Sequence, residues 1–276
     1  MPLFSGEFVL EYFYLVYLIL LIEYLLFQIL LISLSIFANF LSAISGGGAG
    51  LIQFPFLIFL GLPFSVALAT HKLASVSLGI GASLRHLQEG SLKPSFMIFI
   101  FLFGIPGVFI GSNFVPSIPD QLAYMALGIL TFCIGLYSLA NKRLSISNNS
   151  KSIKTRSYLV GGFVLFLIGV LNGSLSSGTG LLVTIWLVSW FGLSYSEAIG
   201  YTLIIVGFFW NGLGALVLAV ISTIRWDWLP SLILGSLIGG YLGAHVSIKS
   251  GNKFVKKMFE FICMMMGFSL ILRSFF

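Results

Sequence analysis

Residues 45–55 read SGGGAGLIQFP and residues 176–182 read SSGTGLL; these two glycine-bearing stretches decide the predicted fold. Each leads into a short apolar stretch, residues 51–61 in the first case and 181–192 in the second. A helix rises about 1.5 Å per residue, so each stretch crosses only about half of a bilayer core roughly 30 Å thick. We therefore predict two re-entrant or broken helices, each interrupted by its glycines.

The rest of the chain has the composition of a protein that lies mostly in lipid. Hydrophobic residues make up 58% of the 276 positions and charged residues only 8%, against about 25% charged residues in a soluble domain. No region is long and polar enough to form a separate soluble domain. The predicted full-length spans cover approximately residues 64–84, 93–113, 120–140, 157–175, 194–222, 227–245 and 254–273.

The N-terminal region leaves two alternatives open. Residues 8–44 are apolar almost throughout, and a helix of that length would measure about 55 Å, which exceeds one crossing. Either an extra span ends near Glu23, or one long helix continues along an interface. We treat residues 1–28 as an N-terminal apolar extension.

The two halves of the chain repeat each other at an almost constant offset. The matches are Ala49-Gly50-Leu51 with Thr179-Gly180-Leu181, Gly61-Leu62 with Gly192-Leu193, Gly107-x-x-x-Gly111 with Gly239-x-x-x-Gly243, and Gly135 with Gly267. We predict repeat 1 at 29–141, a basic linker at 142–156 and repeat 2 at 157–276. Three spans plus a hairpin-like element give each repeat an odd number of crossings, so the second is inverted. The predicted fold class is an all-α polytopic membrane protein with two inverted-topology repeats.

The basic residues predict the orientation. Eleven of the fourteen lysines and arginines fall on one side of the membrane if the spans alternate as drawn, in the loops 85–93, 141–156 and 246–257. Cytoplasmic loops carry an excess of lysine and arginine, so we predict that these three loops are cytoplasmic.

The glycine interruptions predict an anion site. Irregular backbone survives at membrane depth only where it is buried or lines a cavity, and a helix that restarts there presents free N–H groups and a partial positive charge. The alternative is that the glycines only permit close helix packing. Two clusters at equivalent positions of an inverted repeat favour binding. The candidate substrate-binding residues are Gly46, Gly47, Gly48, Gly50, Gln53, Thr70, His71, Lys72, Ser176, Ser177, Gly178, Thr179, Gly180, Tyr201, Thr202 and Asn211.

Lys72 gives the anion interpretation its formal charge. It lies nine residues into the span 64–84, where a cation costs about 2.5–3.5 kcal/mol or more, and no mid-span carboxylate is available to pair with it. A bound anion is the natural complement; the alternative is a lysine that extends to the interface. His71 either relays a proton or bonds a backbone carbonyl. The matching stretch of repeat 2, residues 200–203, carries no charge, so the two halves of the site should be electrostatically unequal.

These residues resemble the sulfite exporter TauE/SafE family. Residues 46–55 are similar to its first signature, and residues 69–73 to its Ala/Gly-Thr-Asn/Ser-Lys/Leu-Leu stretch. Gly178-Thr179-Gly180 stands in the place of its second glycine cluster, and the resemblance covers about residues 30–273. Membership implies transport of sulfite, organosulfonates or related small sulfur-containing anions across the inner membrane.

The resemblance also implies site elements and shows departures from the family pattern. Carried over residue by residue, the implied elements are Gly46–Gly48, Gly50, Thr70, Lys72, Gly178 and Gly180. His71 stands where asparagine or serine is frequent, and Ser176 and Ser177 replace glycines.

The expected function is therefore a secondary transporter that moves a small anion by alternating access. An anion channel or a non-transporting membrane scaffold is the alternative. An enzyme is not expected, because the three histidines are scattered without metal-ligand spacing and no catalytic constellation is present. We predict no cofactor and no metal, a small anionic substrate and the lipid bilayer as partners, no nucleic acid, and no particular oligomeric state.

Overall fold

The computed structural model is helical. The structure describes residues 6–46, 50, 52–88, 92–117, 119–140, 155–176 and 178–275, and these residues contain no strand. The helices are α1 (Gly6–Ser45), α2 (Gln53–Phe59), α3 (Phe64–Leu87), α4 (Pro94–Asn113), α5 (Asp120–Ala140), α6 (Thr155–Leu175), α7 (Thr179–Phe191), α8 (Tyr195–Thr202), α9 (Asn211–Ile221) and α10 (Leu229–Arg273). A short 3₁₀ turn, Val115–Ser117, follows α4, and a π-helix, Leu203–Trp210, joins α8 to α9.

Six helical stretches among the described residues are long and apolar enough to cross a membrane, which confirms an all-α polytopic membrane protein. The stretches are Glu11–Ser45, Pro94–Asn113, Gln121–Ala140, Tyr158–Leu175, Tyr195–Ile221 and Leu229–Ser250. α3 is 24 residues long but is not among them; it carries the buried Thr70, His71 and Lys72. The predicted spans 64–84, 93–113, 120–140 and 157–175 agree with α3 to α6 within a few residues.

The N-terminal region forms one long helix. α1 has 40 residues, about 60 Å at the usual rise, so the first alternative of a separate span ending near Glu23 is wrong. From Glu11 to Leu26 nearly every side chain is exposed, and the first fully buried one is Leu31. No proline or glycine interrupts this stretch after Gly6, which is why the helix continues.

The C-terminal region also differs from the prediction. Helical backbone is assigned throughout Leu229–Arg273, so residues 246–257, predicted as a loop, are helical in the structure. The segment is polar, with four lysines, but it contains no proline. A glycine inside a helix costs only about 1 kcal/mol, whereas proline costs about 3 kcal/mol, so polarity alone does not end the helix.

α10 nevertheless doubles back on itself. His245 contacts the last turn of α3, Lys256 the last turn of α5, and Ile271 the first half of α5. α3 and α5 begin at the same end of the bundle, where the rings of Phe64 and Tyr124 lie 5.9 Å apart. The two halves of α10 therefore run in opposite directions, as two predicted spans would.

Glycines bring the long helices into backbone contact. A Cβ atom at Gly107 or Gly111 of α4 would collide with carbonyl oxygens of α6, and one at Gly239 or Gly243 with carbonyl oxygens of α1. Small residues at such spacing permit close helix packing in membranes. The packing interpretation therefore holds for these four glycines.

Candidate functional site

Lys72 is completely buried in the middle of α3, with 0% of its surface exposed. Its Nζ donates to the carbonyl oxygen of Asn172 (2.8 Å), to Oδ1 of Asn172 (3.2 Å) and to Oδ1 of Asn211 (3.4 Å). Asn172 lies in the last turn of α6 and Asn211 begins α9, so three helices meet at the ammonium group. A lysine that extends to an interface keeps its ammonium in water, so that alternative is wrong here.

Among the residues that the structure describes, the partners of the ammonium group are neutral oxygens and include no carboxylate. The recorded ion pairs of the described residues are Arg225–Asp227 and Lys256–Glu260, and neither includes Lys72. The C-terminal end of α6 attracts this positive charge, because the last carbonyl groups of a helix carry a partial negative charge. No carboxylate among the described residues supplies a full negative charge to neutralise it.

The network of Lys72 extends to the first residue of α7. Asn172 Nδ2 donates to Thr179 Oγ1 at 2.9 Å. α7 follows Gly178, which has φ of 74° and gives the helix no side-chain cap. The first N–H groups of a helix lack intrahelical partners and carry a partial positive charge. The break between α6 and α7 thus places a negative helix end at Lys72 and a positive helix end beside it.

Thr131 of α5 faces the same break. Its buried hydroxyl has no hydrogen-bond partner among the described residues and lies 2.7 Å from the position that a Cβ atom on Gly178 would occupy. An unpartnered buried hydroxyl beside a helix N-terminus adds a polar group to this region.

Gly46, in the first glycine cluster, is in a different environment. Its φ is 70°, and its carbonyl oxygen accepts a hydrogen bond from Thr184 of α7 at 3.1 Å. A Cβ atom there would collide with Ile199 of α8. Gly46 therefore packs tightly against the second half of the chain.

His71 belongs to a neutral cluster on another side of α3. Its Nδ1 lies 3.1 Å from Oε1 of Gln53, whose Nε2 donates to Ser35 Oγ (2.9 Å) and Ser236 Oγ (3.3 Å). Asn39 Nδ2 also donates to Ser236 Oγ, at 3.0 Å. The cluster connects α1, α2, α3 and α10 through buried side chains without a formal charge.

The hydrogen bonds of this cluster determine the tautomer of His71. The Ser35 hydroxyl donates to the Leu232 carbonyl oxygen (2.8 Å), so Ser35 Oγ accepts from the Gln53 amide nitrogen; the Gln53 oxygen then faces the ring, and His71 Nδ1 carries the hydrogen. His71 Nε2 is then an acceptor, and it is buried without a partner among the described residues.

Three further candidates have partners elsewhere; Thr70 and Tyr201 connect the two halves, and Thr202 makes a contact within the second half. Thr70 Oγ1 accepts from the backbone N–H of Arg225 (2.9 Å), and the Tyr201 hydroxyl accepts from that of Lys93 (2.7 Å). Thr202 Oγ1 lies 3.0 Å from Thr184 Oγ1 and is the donor of that hydrogen bond, since the Thr184 hydroxyl hydrogen goes to the Gly46 carbonyl oxygen. The structure does not bring these three residues into the hydrogen-bond network of Lys72.

The remaining candidates lie near the glycine clusters. Gly47, Gly48 and Ser177 are outside the described residues. Ser176 has a positive φ of 59°, and its carbonyl oxygen accepts from the N–H of Thr179. Gly50 and Gly180 are buried.

Sequence reasoning missed several polar residues that the structure places in these networks. Asn39 is an amide inside an apolar run, a signal that would have drawn attention to it. The others, Ser35, Thr131, Thr184 and Ser236, are hydroxyl residues of a kind common in membrane helices, and no sequence signal separates them from ordinary packing residues.

Long apolar helices surround a buried polar site whose ammonium group meets no carboxylate among the described residues, so the fold and site define a polytopic membrane protein with an internal polar site. The family model of the sulfite exporter TauE/SafE matches residues 31–270, and the chain belongs to this family. The resemblance noted in the sequence is confirmed.

Curated relatives carry names that agree with this class. The chain is 27% identical over 236 residues to a "Probable membrane transporter protein" of Haemophilus influenzae, which covers 85% of this chain and 90% of the relative. It is 23% identical over 240 residues to the "Probable membrane transporter protein YfcA" of Escherichia coli strain K12, with 86% and 87% covered. It is 22% identical over 235 residues to "Probable membrane transporter protein ORF9" of Sinorhizobium, with 85% and 88% covered. No solved structure matches the chain.

Proposed function

We propose that the chain is a secondary transporter for a small anion, namely sulfite, an organosulfonate or a related sulfur-containing anion, across the inner membrane. The observation that carries the proposal is the fully buried ammonium group of Lys72, whose partners among the described residues are neutral oxygens. A charge at membrane depth without a counter-ion is costly, and a bound anion removes that cost. The family description, sulfite exporter, supports the substrate class, and the names of the relatives support transport.

The binding site would lie at the break between α6 and α7. In transporters with discontinuous helices, N-terminal half-helix ends point at anionic substrate groups and C-terminal ends coordinate cations. Here Lys72 occupies the cation position at the end of α6, which leaves the start of α7 for the anion. Thr131 would donate a hydroxyl hydrogen bond, because its hydroxyl has no partner among the described residues, whereas the Thr179 hydroxyl already donates to the Ser176 carbonyl oxygen. The 3.4 Å contact to Asn211 is the longest at Lys72, and the anion would replace it first.

Hydrogen bonds at equivalent positions support two repeats. Gln53 pairs with His71 in the first half and Thr184 pairs with Thr202 in the second, and each pair joins side chains 18 positions apart in the chain. The offset that relates Gly61 to Gly192 also relates the first pair to the second. The two glycine-broken helices would then be re-entrant elements of their repeats.

A second pair of contacts supports a twofold relation between the repeats. The bond from the Arg225 N–H to Thr70 has its counterpart in the bond from the Lys93 N–H to Tyr201, with the roles of the two halves exchanged. Such an exchange is what a pseudo-twofold axis between the repeats would produce.

Alternating access is the mechanism that this arrangement favours. Lys72 has no exposed surface, so an anion reaches it only after a conformational change, which an open channel would not need. We propose that the two repeats rock against each other around this site. The basic segments near 85–93, 141–156 and 246–257 would face the cytoplasm.

Flux measurements in proteoliposomes test the proposal. The purified chain should take up sulfite or methanesulfonate at a saturable rate, and Lys72→Ala should reduce the flux at least tenfold, since a hydrogen bond to a charged group contributes about 1.5–3 kcal/mol. Lys249→Ala, at an exposed lysine of α10, is the matched control and should leave the flux unchanged. Absence of flux for both anions, or equal flux in the Lys72→Ala protein, would refute the proposal. Non-saturating ion currents on reconstituted protein would replace the transporter with a channel.

A further inference from the structure

A groove on the outer surface of the bundle combines lysines with apolar side chains. Its volume is about 550 Å³, and it lies between the end of α5 and the second half of α10. The lining residues are Leu139, Lys253, Lys256, Lys257, Glu260, Phe261 and Met264. It lies apart from the network of Lys72 and plays no part in the proposed transport site.

One of the three lysines is already bonded within the protein. Lys256 pairs with Glu260 and donates to the carbonyl oxygen of Ser138 (2.9 Å). Its side chain is 11% exposed, so this pair is held between the helices. Lys253 and Lys257 are exposed, and the groove has a net positive charge. Like charges four residues apart on a helix repel each other, and an anion between them would relieve that repulsion.

An apolar strip of exposed side chains continues from the lysines along the outer face of α10. Phe261 is 60% exposed, Met265 58% and Phe268 57%, and they follow Lys257 at helical spacing. From Lys257 to Leu272 the helix rises about 22 Å, which is long enough for an acyl chain to lie along it. Charge at one end and an apolar strip below it match the shape of a phospholipid.

We propose that this groove binds an anionic phospholipid, with the phosphate between Lys253 and Lys257 and an acyl chain against Phe261. Basic sites at the membrane surface attract anionic head groups with about 1 kcal/mol per lysine. Each lysine therefore contributes about a fivefold gain in affinity, and the two together about thirtyfold. The proposal does not depend on which solute the chain transports.

The chain contains a second groove that serves as an internal comparison. At the opposite end of α5 a cavity of about 370 Å³ is lined by Gln121, Tyr124 and Arg273, among others. By the offset that relates Gly135 to Gly267, Gln121 and Tyr124 correspond to Lys253 and Lys256. Arg273 already stacks over a protein ring, with its Cζ 4.8 Å from the ring centroid of Phe59. This groove has the same two helices but lacks the lysine pair.

Native mass spectrometry of the full chain in detergent tests the proposal. Phosphatidylglycerol should remain bound where phosphatidylcholine does not, and the double variant Lys253→Gln/Lys257→Gln should bind phosphatidylglycerol about thirtyfold more weakly. Lys253→Arg/Lys257→Arg keeps the charge and should retain the lipid. Arg273→Gln, in the second groove, should also retain it.

The opposite outcomes are equally clear. Equal retention of the two lipids by the unsubstituted chain, or unchanged binding in the glutamine variant, overturns the proposal. Displacement of the lipid by millimolar inorganic phosphate would assign the lysines to a free anion and would also overturn it. The comparison of the two lipids needs no variant, so it is valid even if a substituted chain fails to fold.

Discussion

His71 and Lys72 are neighbours in the sequence, and both are fully buried, yet they belong to different kinds of cluster. His71 contacts Gln53 of α2, within a set of uncharged side chains. Lys72 contacts Asn172 and Asn211 of the second half, and it brings a formal charge that no carboxylate of the described residues balances. Adjacent residues of a helix point in directions about 100° apart, so the helices around α3 decide what each residue does.

The two clusters differ in whether their buried polar groups are fully satisfied within the protein. In the His71 cluster, hydrogen-bond donors find acceptors inside the protein, which is how buried polar groups stabilise a fold. At Lys72 the hydrogen bonds are made, but the charge is left over. We therefore expect substitutions around His71 to affect mainly folding, and substitutions around Lys72 to affect folding and transport together.

The largest effect is expected for Asn172→Leu. This change removes the side-chain acceptor of Lys72 and leaves the buried ammonium with fewer partners, so the free energy of unfolding should fall by about 3 kcal/mol. Thermal unfolding in detergent measures the loss, and sulfite flux should disappear.

The double variant Lys72→Met/Asn172→Leu separates the two roles of Asn172. It removes the charge together with its acceptor, so the stability should recover while the flux stays absent. A loss below about 1 kcal/mol in Asn172→Leu alone would contradict the assignment. A buried ammonium group that loses an acceptor should destabilise the protein by more than that, so a smaller loss would mean that Lys72 does not carry a buried charge at this position.

Gln53→Met, in the His71 cluster, should have the next largest effect on stability. It leaves the His71 Nδ1 hydrogen without an acceptor and removes two bonds to serine hydroxyls, at a cost of about 2 kcal/mol. The sulfite flux per folded molecule should remain within about twofold of the unsubstituted chain. A loss of flux comparable to that of Lys72→Ala, with normal stability, would place His71 and Gln53 in the transport site instead.

The sequence predicted the class of fold because that class depends on composition. An apolar fraction of 58%, with short charged loops, permits only a membrane protein, and most spans follow from length and hydropathy. Residues 246–257 were predicted as a loop because they are polar and include Gly251 and Asn252, whereas the structure assigns helical backbone on both sides of the reversal in α10. The length of α1 was open for a similar reason: hydropathy measures how apolar a segment is and does not record where its helix stops.

The candidate site was predictable only in part. Lys72 was found because a cation in an apolar span is rare. Its partner Asn211 was also predicted, whereas Thr131 was not, since its position beside Gly178 depends on how α5 packs against α7. Tertiary packing of that kind leaves no pattern in a single sequence.

Gly178→Ala tests whether the start of α7 belongs to the Lys72 cluster. A residue with a Cβ atom at φ of 74° costs about 1–2 kcal/mol, and that Cβ atom would lie 2.7 Å from Thr131 Oγ1. We expect a loss of about 1.5 kcal/mol in unfolding free energy and at least a fivefold drop in sulfite flux.

Gly61→Ala is the matched control for this substitution. Gly61 also has a positive φ, 94°, but nothing lies within 4 Å of the position of its Cβ atom. The Gly61→Ala protein should lose a similar amount of unfolding free energy through backbone strain, and its sulfite flux should stay unchanged. If both alanine variants reduce flux equally, the effect comes from backbone strain, and the start of α7 has no specific role.

The smallest effect is expected for Thr184→Val, the counterpart of Gln53→Met in the second half of the chain. Valine has nearly the shape of threonine, so the change removes only the hydrogen bonds to the Gly46 carbonyl and the Thr202 hydroxyl, at about 1 kcal/mol. Thermal unfolding measures this loss against that of Gln53→Met. If the two halves are inverted copies, both substitutions weaken equivalent contacts between a short helix and the span after it, and both should leave anion affinity unchanged. A strong loss of flux in Thr184→Val alone would mean that the second short helix has a function that the first one lacks, as the position of Lys72 beside α7 already indicates.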